Sequence, residues 1–237
     1  MKDVVIFNGQ NALDFHEIRD SVIRIPEVSM RIREAQNVWD AIGESDFSFY
    51  NFLVSENPTY LSNIKIKNLV TSIVQIALYE RYVRRFGRPE YVVGTVNGDS
   101  PLGVCIGQTT FEDMILTSQV AKPIFTLPKV VASQGETLLS GISLAELGIF
   151  KFNEDSGKYQ RVAEDKQEIV KILAYLFEEC HVKKLVNIGP GSSTIEPLQK
   201  DLLLKDIQIV ESIDADPMLS WFWSEMRRVT EQVTLAQ

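Results

Sequence analysis

The chain has 237 residues, 45% of them hydrophobic, which suffices for one large domain or two small ones. A formal net charge of −8 argues against nucleic acid or an anionic membrane surface as the main partner. Cys105 and Cys180 stand far apart with no CxxC or Cys/His cluster, which speaks against a disulfide framework or a zinc site and fits a reducing cytoplasm.

Val4-Val5-Ile6-Phe7 is a continuous apolar run closed by the turn pair Asn8-Gly9, and predicts a buried first strand. It is too short for a signal peptide, and no apolar run approaches the roughly 20 residues that span a bilayer. Pro26 suits the first position of a helix whose stripe is Val28, Ile32, Ala35 and Val38-Trp39. Phe47, Tyr50 and Leu53-Val54 recur at helical spacing up to Pro58. The strongest helix runs from Ile64 to Phe86. Leu69, Ile73, Ile76 and Val83 lie on one side of it, with Val70, Val74 and Ala77 beside them. So broad an apolar surface predicts a helix buried on most sides. Arg81, Arg84 and Arg85, then Gly87 and Pro89, supply its stop chemistry.

Tyr91-Val92-Val93 reads as a second short buried strand, and a helix follows from Asp99 to Ile106. Thr110 suits the cap of another helix reaching Ala121. Lys122 to Lys158 is the least legible stretch, with apolar pieces at Ile124-Phe125 and Val130-Val131, a Gly135 turn and a short helix over Ser143 to Leu147. Ile169, Leu173 and Leu176-Phe177 mark a helix from Ala163 to Glu179. Lys184 to Ile188 predicts a strand, Gly189-Pro190-Gly191 a tight loop, and Ile195 to Leu204 a helix. Ile207 to Val210 is another strand, and Asp216 caps a last helix with Pro217 at its first position. Strands alternating with helices predict an α/β fold with a mainly parallel sheet. No repeat or linker divides it, so one domain over residues 1–237 is expected.

Gly94-Thr95-Val96-Asn97-Gly98 sits between a predicted strand and a predicted helix. That is the setting in which G-x-S-x-G proteins expose a serine on a sharp turn. The glycines permit the turn and a close helix–strand approach. Val96 holds the central position, and a valine has no atom that attacks.

Three segments carry a resemblance. Phe7-Asn8-Gly9-Gln10-Asn11 looks like F-P-G-Q-G. Gly94 to Asp113 looks like G-H-S-L-G-E-Y-S-A-L-V-x-A-G-x-x-x-F-x-D, with Gly94, Gly98, Val104, Gly107, Phe111 and Asp113 in register without a gap and Asp99 at the glutamate. Val182 to Gly191 looks like a strand running into a G-P-G loop. In this order the three resemble malonyl-CoA:acyl carrier protein transacylases, the acyltransferases that load fatty-acid and polyketide synthases. The resemblance implies an acyltransferase-like, α/β-hydrolase-type core. It puts Val96 at the nucleophile, Thr95 at the adjacent histidine, and Ala121, beside Lys122, at the arginine that holds the malonyl carboxylate. Only Gln10 and Asn97 keep oxyanion-hole positions, through their backbone N–H groups, and such a hole stabilises nothing without a nucleophile. The chain has no histidine between His16 and His181, so the general base is also missing. The middle of the chain is too short for the whole ferredoxin-like subdomain, which is expected to be reduced or absent.

Other candidate chemistry along the chain has plainer readings. Asn97-Gly98-Asp99-Ser100 contains a G-D-S triplet, with Glu178-Glu179-Cys180-His181 as its nearest counterpart to a D-x-x-H. Asp99 and Ser100 are explained as the opening of a helix. Cys105, between Val104 and Ile106, reads as a buried inert thiol. Asp214 and Asp216 suggest a metal pair and are explained as a strand end followed by a cap. The Gly189-Pro190-Gly191-Ser192-Ser193 loop precedes a helix and suits a phosphate, or a structural turn. Arg81, Arg84, Arg85 and Arg88 suit an acidic carrier protein, or a helix dipole. Trp221, Phe222 and Trp223 are consecutive, so one at least faces outward or a partner.

The leading expectation is a noncatalytic relative of the transacylases that binds another protein or itself, with no cofactor, metal, nucleic acid or membrane. Gly9, Gly94, Gly98, Asp99, Ser100, Gly189 and Gly191 line its candidate pocket. The alternatives are an acyl transferase or hydrolase rebuilt on Ser100 or Cys105, and a binder of coenzyme A or an acyl ligand.

Overall fold

Val4, Val5, Ile6 and Phe7 are at most 1% exposed in β1 (Asp3–Phe7), the innermost strand of a six-stranded sheet. A run apolar on both faces has no solvent side, as expected of a strand covered above and below. The structure is a computed structural model; it describes residues 3–7, 19, 21–41, 47–58, 62–94, 99–120, 149–163, 176–189, 207–221 and 224–225.

Between the first two strands lie α1 (Pro26–Ala41), α2 (Phe49–Val54) and α3 (Ile64–Phe86). The predicted stripe of α1 is buried at Val28, Ile32, Ala35 and Trp39. In α2 the spacing held but the facing did not. Ser48 accepts the Asn51 N–H at 3.2 Å and starts the helix so that Phe49, Phe52 and Leu53 turn inward, while Tyr50 and Val54 are exposed. Phe47, Phe49 and Trp39 then stack within 5.5 Å of one another, and both amide groups of Gln36 clamp this loop to α1.

α3 follows its predicted bounds. Asn63 caps its start and Gly87, at φ 84°, its end; that φ is one glycine adopts without strain. Every residue from Leu69 to Tyr79 is buried. Thr71 and Ser72 within that stretch donate to the carbonyls of Lys67 and Asn68, which satisfies hydroxyls that would otherwise be stranded in an apolar core.

β2 (Tyr91–Gly94) pairs in parallel with β1, and α4 (Asp99–Cys105) and α5 (Phe111–Val120) follow it. Thr110 caps α5 by accepting the Asp113 N–H at 3.0 Å, as its position predicts. β3 (Ile149–Asn153) and β4 (Lys158–Ala163) come next, then β5 (Lys184–Ile188), β6 (Gln208–Glu211) and the short α6 (Ser212–Ala215). The strand order is β4-β3-β2-β1-β5-β6.

The sheet is mainly parallel, as expected, and an antiparallel hairpin at one edge makes it mixed. β2, β1, β5 and β6 run parallel, but β3 and β4 are an antiparallel hairpin on the β2 edge. Antiparallel neighbours need only a tight turn, whereas parallel ones need a crossover. The Asn153 side chain accepts the Ser156 N–H at 3.1 Å and Gly157 takes φ 64°, so the four residues between the strands suffice. Ala163, expected to open a helix, instead ends β4, and Leu176 to Glu178 are helical. Residues 124–147, 164–175 and 195–204 lie outside the described residues.

One face of the sheet packs on α1 and α3. Val5, Phe7, Val92, Val186 and Ile188 join a single core with α1 and α3, and the Phe7 and Tyr79 rings lie 5.4 Å apart. No helix among the described residues is long and apolar enough to cross a membrane.

Candidate functional site

Phe7 stands level with Gly94 on one side and with Ile188 on the other. These are the last residues of β1, β2 and β5. Three neighbouring parallel strands therefore release the Asn8-Gly9-Gln10, Thr95-Val96-Asn97-Gly98 and Gly189-Pro190-Gly191 segments from one edge of the sheet. Ligands of open α/β sheets collect at such carboxyl ends. The three segments singled out in the sequence thus converge, although each is remote from the others along the chain. Gly94 and Gly189 are buried at this edge. Gly9, Gln10, Thr95, Val96, Asn97, Gly98, Ala121, Gly191 and His16 lie outside the described residues.

A residue that sequence reasoning missed holds this edge. Gln75 of α3 is fully buried, and its Nε2 donates to the Ile188 carbonyl at 2.7 Å. The signal was a single amide inside Ile73-Val74-Gln75-Ile76-Ala77, because a buried amide needs a partner. The partner is the last carbonyl before the Gly-Pro-Gly loop.

The remaining candidates separate. α4 begins at Asp99 and carries Ser100 in its first turn, on the elbow side of the sheet. His181 is exposed, with φ 57°, three residues before β5 begins. It therefore sits at the amino edge of the parallel strands, a strand length of about 15 Å from the elbow. A Ser100–His181 relay does not fit this arrangement. Cys105 ends α4 as a free, half-buried thiol. Burial pushes its pKa well up and Glu80 adds to the effect, against a smaller opposing pull from Arg31. A thiol held protonated is a weak nucleophile.

Asp216 is a cap and a buried ion partner. Its Oδ1 accepts the Met218 N–H at 3.0 Å, and Arg81 Nε donates to its Oδ2 at 2.9 Å. No group of three or more metal-ligating side chains occurs among the described residues. The four arginines do not act as one patch. Arg81 is tied to Glu27 and Asp216 inside the molecule, so it belongs to the scaffold. Arg84 is mostly exposed and touches Glu27, Arg85 is exposed, and Arg88 donates to the Gly157 carbonyl. Trp221 and Met218 are each 65% exposed, in keeping with an outward-facing residue in the Trp221–Trp223 run.

Three parallel strands that end level with one another, the second followed by a helix from Asp99, fit an acyltransferase-type α/β scaffold. Comparison with solved structures narrows it. The chain is similar to the MCAT of Streptococcus pneumoniae, with 15% identity and a TM-score of 0.57 over 92% of this chain and 99% of that one. It is equally similar to the malonyl CoA-acyl carrier protein transacylase of Clostridium perfringens, with 12% identity and a TM-score of 0.58 over 100% and 99%. A malonyl-transacylase solved in complex with a type II PKS acyl-carrier protein matches at 12% identity and a TM-score of 0.58, over 89% and 96%. No protein-family model and no curated protein sequence matches the chain. The fold is that of the malonyl-CoA:acyl carrier protein transacylases.

Proposed function

We propose that this chain is a noncatalytic protein built on the transacylase fold, a single acyltransferase-like domain that binds another protein in polyketide or fatty-acid biosynthesis. The observation that carries the reading is Val96 in an elbow whose flanking elements are both in place. β2 ends at Gly94 and α4 begins at Asp99, yet the residue that would attack an acyl thioester is a valine. Covalent acyl transfer needs a nucleophile activated by a neighbouring base. Thr95 replaces the adjacent histidine and Ala121 the carboxylate-binding arginine of the resembled pattern. The pKa of the Cys105 thiol is raised by burial, which weakens it as a substitute nucleophile.

A protein partner is supported by the exposed Met218 and Trp221. A transacylase of this fold has been solved with an acyl-carrier protein. The free thiols of Cys105 and Cys180 support a reducing, cytoplasmic setting. Intact-mass measurement after incubation with malonyl-CoA tests the reading: no adduct is expected, and a stoichiometric acyl adduct overturns it.

A further inference from the structure

A cleft of about 310 Å³ opens at the end of the molecule away from the elbow. It is lined by the second half of α3, the last turn of α4 and Tyr159 of β4. α3 passes through Gly87 to Pro89 into the start of β2, so the cleft lies at the amino edge of the sheet. The elbow lies at the carboxyl edge. α4 spans the distance between them, roughly 10 Å at 1.5 Å per residue.

The walls divide into an apolar body and a cationic rim. Ile76, Val83 and Val104 supply hydrocarbon. Tyr79 and Tyr159 meet hydroxyl to hydroxyl at 3.1 Å, and Tyr159 donates onward to the Pro89 carbonyl at 2.9 Å. The tyrosines therefore form a fixed polar seam. Glu80, the one carboxylate of the lining, is held from the side by both Nε and Nη2 of Arg31, which blunts its repulsion of an anion.

Two arginines complete the rim. Arg84 uses Nη1 toward Glu27, a carboxylate that it shares with Arg81. Arg88 uses Nη1 toward the Gly157 carbonyl, stacks 5.2 Å over the Phe152 ring, and has no carboxylate partner among the described residues. A guanidinium carries five N–H donors, so each arginine is positioned by one contact and keeps donors for another. Arg31 is shared with Glu34 and Arg84 belongs to the balanced group of Arg81, Glu27 and Asp216, so the cation the rim offers is Arg88.

We propose that this cleft binds a small organic monoanion, an aryl or short-chain carboxylate. Its carboxylate would sit at Arg88 and Arg84, and its hydrocarbon against Ile76, Val83 and Val104. The volume stands at the small end of ligand sites, which run from roughly 300 to 1,000 Å³, and suits a small acid. A single guanidinium with no carboxylate partner among the described residues matches a carboxylate better than a phosphate dianion. The proposal is independent of the elbow and holds whether or not the chain transfers acyl groups.

Calorimetric titration of the full chain tests it with phenylacetate and hexanoate as probes, and with benzyl alcohol and inorganic phosphate as comparators. At least one acid is expected to bind saturably, about tenfold or more tighter than benzyl alcohol and tighter than phosphate. Arg88→Gln, a change at an exposed position, is expected to weaken that acid about tenfold or more, the loss of one charge-assisted contact. Filling the cleft with Val104→Trp is expected to abolish binding. Absence of saturable binding by either acid up to about 10 mM, equal binding of the alcohol, tighter binding of phosphate, or an unchanged affinity in Arg88→Gln each overturns the proposal.

Discussion

Gln75 Nε2 donates to the Ile188 carbonyl oxygen at 2.7 Å, across a sequence separation of 113 residues. The bond joins the most buried helix to the end of the strand that leads into Gly189-Pro190-Gly191. Gln75→Leu is expected to destabilise by about 1–3 kcal/mol, because the carbonyl loses its partner beside a fully buried side chain. Gln75→Glu should cost more, since it sets a carboxylate against a carbonyl inside the core. Denaturant unfolding of both variants reads the order, and a glutamate variant as stable as the leucine one contradicts it.

Arg81 holds three elements together through Glu27 at the start of α1 and Asp216 at the last helix. Both carboxylates are close to buried, with side chains 11% and 5% exposed. Arg81→Ala leaves the buried Asp216 without its cation and Glu27 with the exposed Arg84 alone, and is expected to cost about 3–5 kcal/mol. Asp216→Asn keeps an oxygen for the Met218 N–H and should cost less. Thermal melts distinguish the two, at about 2–4 °C per kcal/mol for a chain of this size.

How far such contacts could be foreseen varies along the chain. The bounds of α3 were legible because its apolar breadth, its terminal arginines and Gly87 all agree, and those signals are local. The strand Val4–Phe7 was legible as an unbroken apolar run, and Lys184–Ile188 as Leu185, Val186 and Ile188 around the single polar Asn187. The β3–β4 hairpin was missed even though Phe150 and Phe152 alternate with Ile149 and Lys151 and a turn follows at Asn153 to Gly157. Its strands flank an illegible stretch, and nothing local says that they extend the sheet antiparallel to β2. The facing of Tyr50 was missed because Ser48, rather than Phe47, sets the start of α2. At the site, the three loop segments were legible as motifs. Their convergence on one edge depends on the register of β2, β1 and β5, which no single segment encodes.

Burial raises the pKa of Tyr79 first of all, with the Tyr159 hydroxyl adding to the effect. Tyr82, Tyr91 and Tyr159 are raised by the same dominant cause. For a group with a raised folded-state pKa, the unfolded chain loses its proton first. The stabilisation is therefore complete below the unfolded value of 10.0 and is lost as pH rises beyond it. Stability is expected to fall steeply above about pH 10. Tyr79→Phe should flatten that fall by about 1.4 kcal/mol per pH unit. Unfolding free energies measured from pH 8 to 11 check the slope, and an unchanged slope in the variant contradicts it.

Cys105 carries a thiol that burial keeps protonated. Its alkylation by iodoacetamide in the native protein at pH 8 is expected to be about tenfold or more slower than in the chain unfolded by denaturant, because the thiolate is the reacting form. Peptide mapping gives the rate at this position. Faster labelling in the native state would mark Cys105 as an activated nucleophile and revive a rebuilt catalytic site.

The central claim is that the scaffold no longer takes up an acyl group, and intact-mass spectrometry after incubation with malonyl-CoA tests it most directly. The wild type is expected to keep its mass. Val96→Ser is expected to keep its mass as well, because the histidine and arginine positions of the resembled site remain Thr95 and Ala121. One malonyl group on the wild-type protein would contradict the account outright. Malonylation of the serine variant alone would show that the rest of the site had survived around Val96.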